Sequence, residues 1–122
     1  MATMQPMAEP FRISVRIERG KVLVSPDPAI VEEGKPFQWQ FNVYALPSLT
    51  IEIYFSDGTP TGWTTEIAEY FQMGKGVRAR TPFIAAVAGD PGDYKYGISA
   101  TLHDTKEVVA DDDPYLIVRP RQ

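Results

Sequence analysis

The sequence predicts an all-β chain folded as an antiparallel Greek-key β-sandwich, and three observations point there. Apolar and polar residues alternate with a period of two in one segment after another, the pattern of strands with one side on a core and the other in water. The segments are separated by clusters of Gly, Pro and Asp, whose preset or permissive backbone angles make turns. A length of 122 residues, 43% of them hydrophobic, suits one core and not two, so residues 11–122 are expected to form a single domain behind a flexible segment at 1–10. Roughly seven to nine short strands of this kind pack as two layers.

In residues 11–17, Phe11, Ile13, Val15 and Ile17 fall on one side and Arg12, Ser14 and Arg16 on the other. After Gly20 comes a short segment at 21–24. Pro26 and Pro28 then mark a kinked or edge connection, because proline cannot donate to a strand ladder, and 29–31 continues to the turn "EEGKP". Residues 37–44 set Phe37, Trp39, Phe41 and Val43 against Gln38, Gln40, Asn42 and Tyr44, an apolar load that suits a central strand. Beyond "ALPS", residues 49–55 turn Leu49, Ile51, Ile53 and Phe55 inward, and "SDGTPTG" ends that strand. At 64–73 the spacing changes. Ile67, Tyr70 and Phe71 stand at i, i+3 and i+4, Thr64 or Thr65 can cap the start and Gly74 or Gly76 the end, which favours one short helix. Residues 77–88 return to extended form, and 94–102 put Tyr94, Tyr96, Ile98, Ala100 and Leu102 on one face. "DDDP" then turns the chain into a last strand at 115–119.

A net charge of −4 and a pI near 4.9 disfavour nucleic acid and anionic lipid as partners, since both are held by clustered Lys and Arg. The absence of cysteine excludes disulfides, thiolate nucleophiles and thiolate metal sites. "MATMQPMAEP" has neither the charged nor the apolar region of a signal peptide. The expected compartment is therefore the cytoplasm if this start is native, and outside it if a signal was removed. No apolar run approaches the ~20 residues of a membrane helix, so no membrane insertion is expected.

Two stretches resemble the cupredoxin-like sandwich family. "PDPAIVEEGKPFQWQF" is similar to its entry, in which a proline-marked segment leads through a turn to a buried aromatic strand, and "PGDYKYGI" is similar to its Gly-x-Tyr-x-Phe/Tyr-x-Cys strand. The resemblance runs from about Lys21 onward, and a generic immunoglobulin-like sandwich reads similarly. It implies the fold and withdraws the copper. The family's ligand positions fall on Ser48, Ile98 and Thr101, and a blue-copper site needs one thiolate and two imidazoles where this chain has no thiol and a single histidine. Copper-free relatives of this kind act as accessory or interaction modules, and the resemblance implies the same here.

His103 beside Asp104 could move a proton, but no motif places a hydroxyl nucleophile with them, so a surface histidine in a turn is the expectation. Asp111, Asp112 and Asp113, with Asp104 and Glu107 nearby, are hard oxygen donors of the kind calcium takes. They lack the glycine and terminal glutamate of the twelve-residue calcium loop, and a solvated turn guarding a sheet edge is the ordinary reading. Tyr44, Glu52, Tyr54 and Trp63 are the partner-binding candidates, with Tyr44, Glu52 and Tyr54 on one exposed face, whereas alternation sends Tyr94 and Tyr96 inward. Arg12, Arg16, Arg78 and Arg80 fall on outward faces and could form a small basic stripe. The expected function is a non-catalytic protein-binding or structural module without a cofactor, engaging a protein partner or itself. The alternative is a carbohydrate-binding or calcium-dependent sandwich domain.

Overall fold

The computed structural model describes residues 10–71 and 82–121, which form eleven strands and no helix. In chain order they are β1 (Phe11–Glu18), β2 (Lys21–Ser25), β3 (Ala29–Glu32), β4 (Pro36–Val43), β5 (Leu49–Tyr54), β6 (Thr65–Tyr70), β7 (Phe83–Val87), β8 (Gly92–Lys95), β9 (Gly97–Leu102), β10 (Val108–Asp112) and β11 (Tyr115–Arg119). The first sheet runs β2-β1-β4-β7, the second β10-β9-β5-β6, and a three-stranded sheet runs β3-β11-β8. The segments expected around 37–44 and 49–55 become β4 and β5, both interior strands, in keeping with their apolar load.

The alternation acts as the sequence pattern requires. Ile13, Val15 and Ile17 of β1 and Phe37, Trp39 and Phe41 of β4 are buried, and so are Leu49, Ile51 and Ile53 of β5 and Ile98, Ala100 and Leu102 of β9. These two inner faces join Ala29, Val31, Leu116 and Val118 of the third sheet in one cluster. Trp39 is wholly buried and meets the rings of Phe37, Tyr96, Trp63 and Phe55 at centroid distances of 5.0, 5.6, 6.0 and 6.4 Å. Such tilted and edge-on pairs contribute about 0.5–1.5 kcal/mol each beyond the area they bury.

Four expectations are corrected. First, the segment 64–73 does not form the short helix: Thr65–Tyr70 is a strand paired antiparallel with β5 from Leu49↔Tyr70 to Tyr54↔Thr65, and residues 72–73 lie outside the described residues. A helix over 64–73 would leave the edge of β5 unpaired, whereas the strand satisfies that ladder, and tertiary pairing outweighs a weak local preference. Second, the sheets are not antiparallel throughout, because β1 lies parallel to β4 and β3 parallel to β11.

Third, 94–102 is not one strand. β8 pairs with β11 and β9 with β5, and the chain breaks at Tyr96. The Tyr96 N–H donates to the Pro114 carbonyl at 3.1 Å, so β8–β9 and β10–β11 run as one ribbon bent at Tyr96 and Pro114, which passes from the third sheet to the second. The bend arises where Pro114 can give the ladder only its carbonyl. Fourth, the aspartates are not a free turn: Asp111 and Asp112 end β10, opposite Ser99 and Ile98. The segments at 1–9 and 77–81, with Arg78 and Arg80, lie outside the described residues.

Candidate functional site

The pleat sends alternate residues of the second sheet outward, and pairing sets them side by side. On β5 they are Thr50, Glu52 and Tyr54; across from them stand Thr101, Ser99 and Gly97 on β9, and Glu69, Ile67 and Thr65 on β6. Asp111 lies beyond Ser99 on β10. The result is a shallow depression of about 270 Å³ lined by Glu52, Tyr54, Gly97, Ser99 and Asp111 through Asp113. Two groups picked separately from the sequence, the partner candidates Glu52 and Tyr54 and the three aspartates, thus share one hollow. Its floor is low because Gly97 has no side chain. A Cβ there would sit 3.4 Å from the Tyr54 ring and 3.6 Å from Asp113 Oδ1.

The four strands of this sheet carry Glu52, Glu66, Glu69, Asp111 and Asp112 and neither Lys nor Arg. Among the described residues, no three carboxylate or imidazole groups stand close enough to hold a metal ion. Tyr54 and Ile67, diagonal neighbours across β5 and β6, are 48% and 50% exposed, so a large apolar area borders the carboxylates.

At the far end of the same face, Glu69 Oε2 accepts from Thr50 Oγ1 at 3.2 Å and lies 2.6 Å from His103 Nε2, which is shielded from water. Phe71 packs on the imidazole at 5.4 Å. The carboxylate beside His103 is therefore Glu69 and not Asp104, and the Thr50 hydroxyl is bonded to the carboxylate rather than to the ring. A nucleophile is not set up by that arrangement, which needs the hydroxyl on the base.

The remaining candidates are dispersed. Trp63 is half-buried against Trp39 and Phe55, and its carbonyl accepts from Thr61 Oγ1 at 3.0 Å and from Thr59 Oγ1. It is core lining and not a surface aromatic, because the turn after β5 folds it back over the aromatic cluster. Tyr44 is 46% exposed beneath the Arg16 guanidinium, 4.1 Å from the ring centroid. Arg16 points outward from β1, so Tyr44 belongs to the outer face of the first sheet, across the core from Glu52 and Tyr54, and the single face expected for these three does not form. Tyr94 is half-buried with its hydroxyl donating to the Asp90 carbonyl at 2.7 Å, while Tyr96 is buried.

The three ligand positions implied by the resemblance do not converge. The Ser48 carbonyl accepts from His103 N at one end of β5, and Ile98 opposes Ile53 near the other, roughly 16 Å along the strand. Ile98 points into the core and Thr101 away from it.

Sequence reasoning missed Ile67 and Phe71 as exposed apolar residues. In Thr65–Tyr70 the outward positions are Thr65, Ile67 and Glu69 and the inward ones Glu66, Ala68 and Tyr70, so polarity does not alternate and no period-two signal exists to find. Scanned against models of known families the sequence matches none, and it has no significant match among curated proteins. No helix among the described residues is long and apolar enough to cross a membrane.

Proposed function

We propose that this chain is a non-catalytic protein-binding module that engages its partner through the outer face of the second sheet. The observation that carries this reading is the pairing of half-exposed Tyr54 and Ile67 with Glu52 and Asp111, carboxylates on strands that hold no cation. Apolar anchors beside charge are how a protein surface combines affinity with orientation. Sugar recognition needs aromatic rings aligned along one face, and the positions of Tyr44 and Tyr54 across the core from one another weigh against it.

A photo-reactive phenylalanine analogue placed at Ile67, in cells that make the chain, tests the reading. Cross-linking to protein from Ile67 and not from Asp57, an exposed position in the turn after β5, is the expected result. No protein adduct from Ile67, or equal adducts from both positions, overturns it.

A further inference from the structure

The two outer faces of the sandwich are opposite in charge. The outer face of the first sheet carries Arg12, Arg16 and Lys21 against a single acid, Glu18, which lies 3.1 Å from Arg16 Nε, whereas the outer face of the second carries Glu52, Glu69 and Asp111 on strands that hold no Lys or Arg. Each face also exposes apolar side chains. On the first sheet Leu23 stands beside Arg16, and Phe83 and Val87 flank the polar row of β4, at 47%, 59% and 56% exposure. On the second they are Tyr54, Ile67 and Val108. A face with cations among apolar groups and one with carboxylates among apolar groups are complementary to each other, while neither is complementary to itself.

We infer that the occupant of the acidic face is a second copy of this chain, docked by its basic face in a head-to-tail arrangement. The inference rests on the protein-binding reading above and names its partner. Like faces would bring Arg12 and Arg16 against themselves, or Glu52 and Asp111 against themselves, so charge opposes a two-fold dimer. Head-to-tail contact leaves one face of each kind free and is open-ended unless the rotation closes a ring. Each face measures about 19 Å across four strands and about 20 Å along six residues. That is roughly 400 Å² in projection, about half of the ~800 Å² per partner in a standard stable interface. The association is therefore weak and sensitive to both concentration and salt.

Sedimentation equilibrium of the full chain tests it, with two variants that replace charged side chains by neutral polar ones: Glu52→Gln with Asp111→Asn on the acidic face, and Arg12→Gln with Arg16→Gln on the basic face. All four side chains lie on outer faces, and retention of the wild-type melting temperature verifies folding. At ~0.02 M salt the wild-type mass should rise past that of a dimer with concentration, and the association constant should fall at least about tenfold at ~0.5 M salt. Each variant alone should associate at least about tenfold more weakly than wild type. A one-to-one mixture should form a dimer and stop there, because the acidic-face variant keeps an intact basic face and its partner keeps the acidic one. A strict monomer at ~1 mM and low salt, a wild-type plateau at two chains, or a mixture that gains nothing over its components overturns the inference. If the Ile67 cross-link yields only adducts with other proteins, the head-to-tail contact fails while the binding reading stands; with no protein adduct at all, both fail.

Discussion

Tyr96 does two things at once in the core. Its hydroxyl oxygen accepts a hydrogen bond from Trp39 Nε1–H at 3.0 Å, satisfying the one polar atom of the largest fully buried side chain, while its ring packs on Trp39 and Phe55. Tyr96→Phe keeps the packing and orphans the indole N–H, so it should cost about 1–3 kcal/mol in urea unfolding with an unchanged m value. Burial pushes the Tyr96 hydroxyl above the ordinary tyrosine range; Asp27 and Asp112 push the same way, and the Trp39 donor opposes them. Because the folded value lies above the unfolded one, the contribution is complete below pH about 10, where an unfolded tyrosine begins to ionise, and is lost as pH rises beyond it. Stability of the wild type should therefore decline with pH above about 10, and Tyr96→Phe should remove that part of the decline. Ile98, 1% exposed, offers a purely apolar comparison. Ile98→Ala should cost roughly 2–5 kcal/mol by the same measurement, and a loss under about 1 kcal/mol would contradict its burial.

Between strands, two glycines show how differently the connections are constrained. Gly89, after β7, donates its N–H to the Pro60 carbonyl at 2.6 Å, and a Cβ on it would lie 2.9 Å from that same oxygen. The clash is with backbone, so Gly89→Ala must move either the turn before β8 or the loop that carries Trp63, and should destabilise by about 1–3 kcal/mol. Gly97 begins β9, and its nearest neighbours are the Tyr54 ring and the Asp113 carboxylate at ordinary contact distance. Gly97→Ala should be neutral, or stabilising by up to about 1 kcal/mol, through the lost freedom of the unfolded chain. Paired thermal melts distinguish the two sites, and equal effects would mean that the Gly89–Pro60 contact does not constrain the connection. The bulge between Val108 and Ala110 belongs to the same scale: it lets both Val109 and Ala110 turn inward, and the Val109 carbonyl accepts from Gly20 N–H at 2.7 Å, joining the two four-stranded sheets along one side.

At the scale of the molecule, most contacts join residues far apart in sequence. The parallel pairing of β3 with β11 brings Ala29 beside Leu116, and that of β1 with β4 threads two further strands between its partners. Loops of that length must close before the contacts they permit are gained, so refolding should occupy roughly milliseconds to seconds rather than microseconds. Stopped-flow fluorescence of Trp39 and Trp63, both in the aromatic cluster, follows it directly, and a microsecond phase carrying the whole amplitude would show that these pairings are not rate-limiting. Charge is also a property of this scale. A net −4 conceals two layers of opposite sign, which the strand order separates to opposite faces.

What the sequence determined by itself was the set of strands whose side chains alternate strictly: 11–17, 37–44 and 49–55 were legible because a period of two has one solution when one face must be buried. The candidates Glu52, Tyr54 and Asp111 to Asp113 were legible as residue types for the same reason, since alternation assigned Glu52 and Tyr54 to water and turn chemistry exposed the aspartates. Only the tertiary structure decided that β9 lies between β5 and β10, which puts those residues in one hollow, and that Tyr44 belongs to the opposite layer. It also decided the state of Thr65–Tyr70, where local spacing favoured a helix and the open edge of β5 required a strand. Local pattern specifies which side of a strand meets the core; it carries no information about which strand lies alongside, because that choice depends on how the whole set of apolar faces can be covered at once.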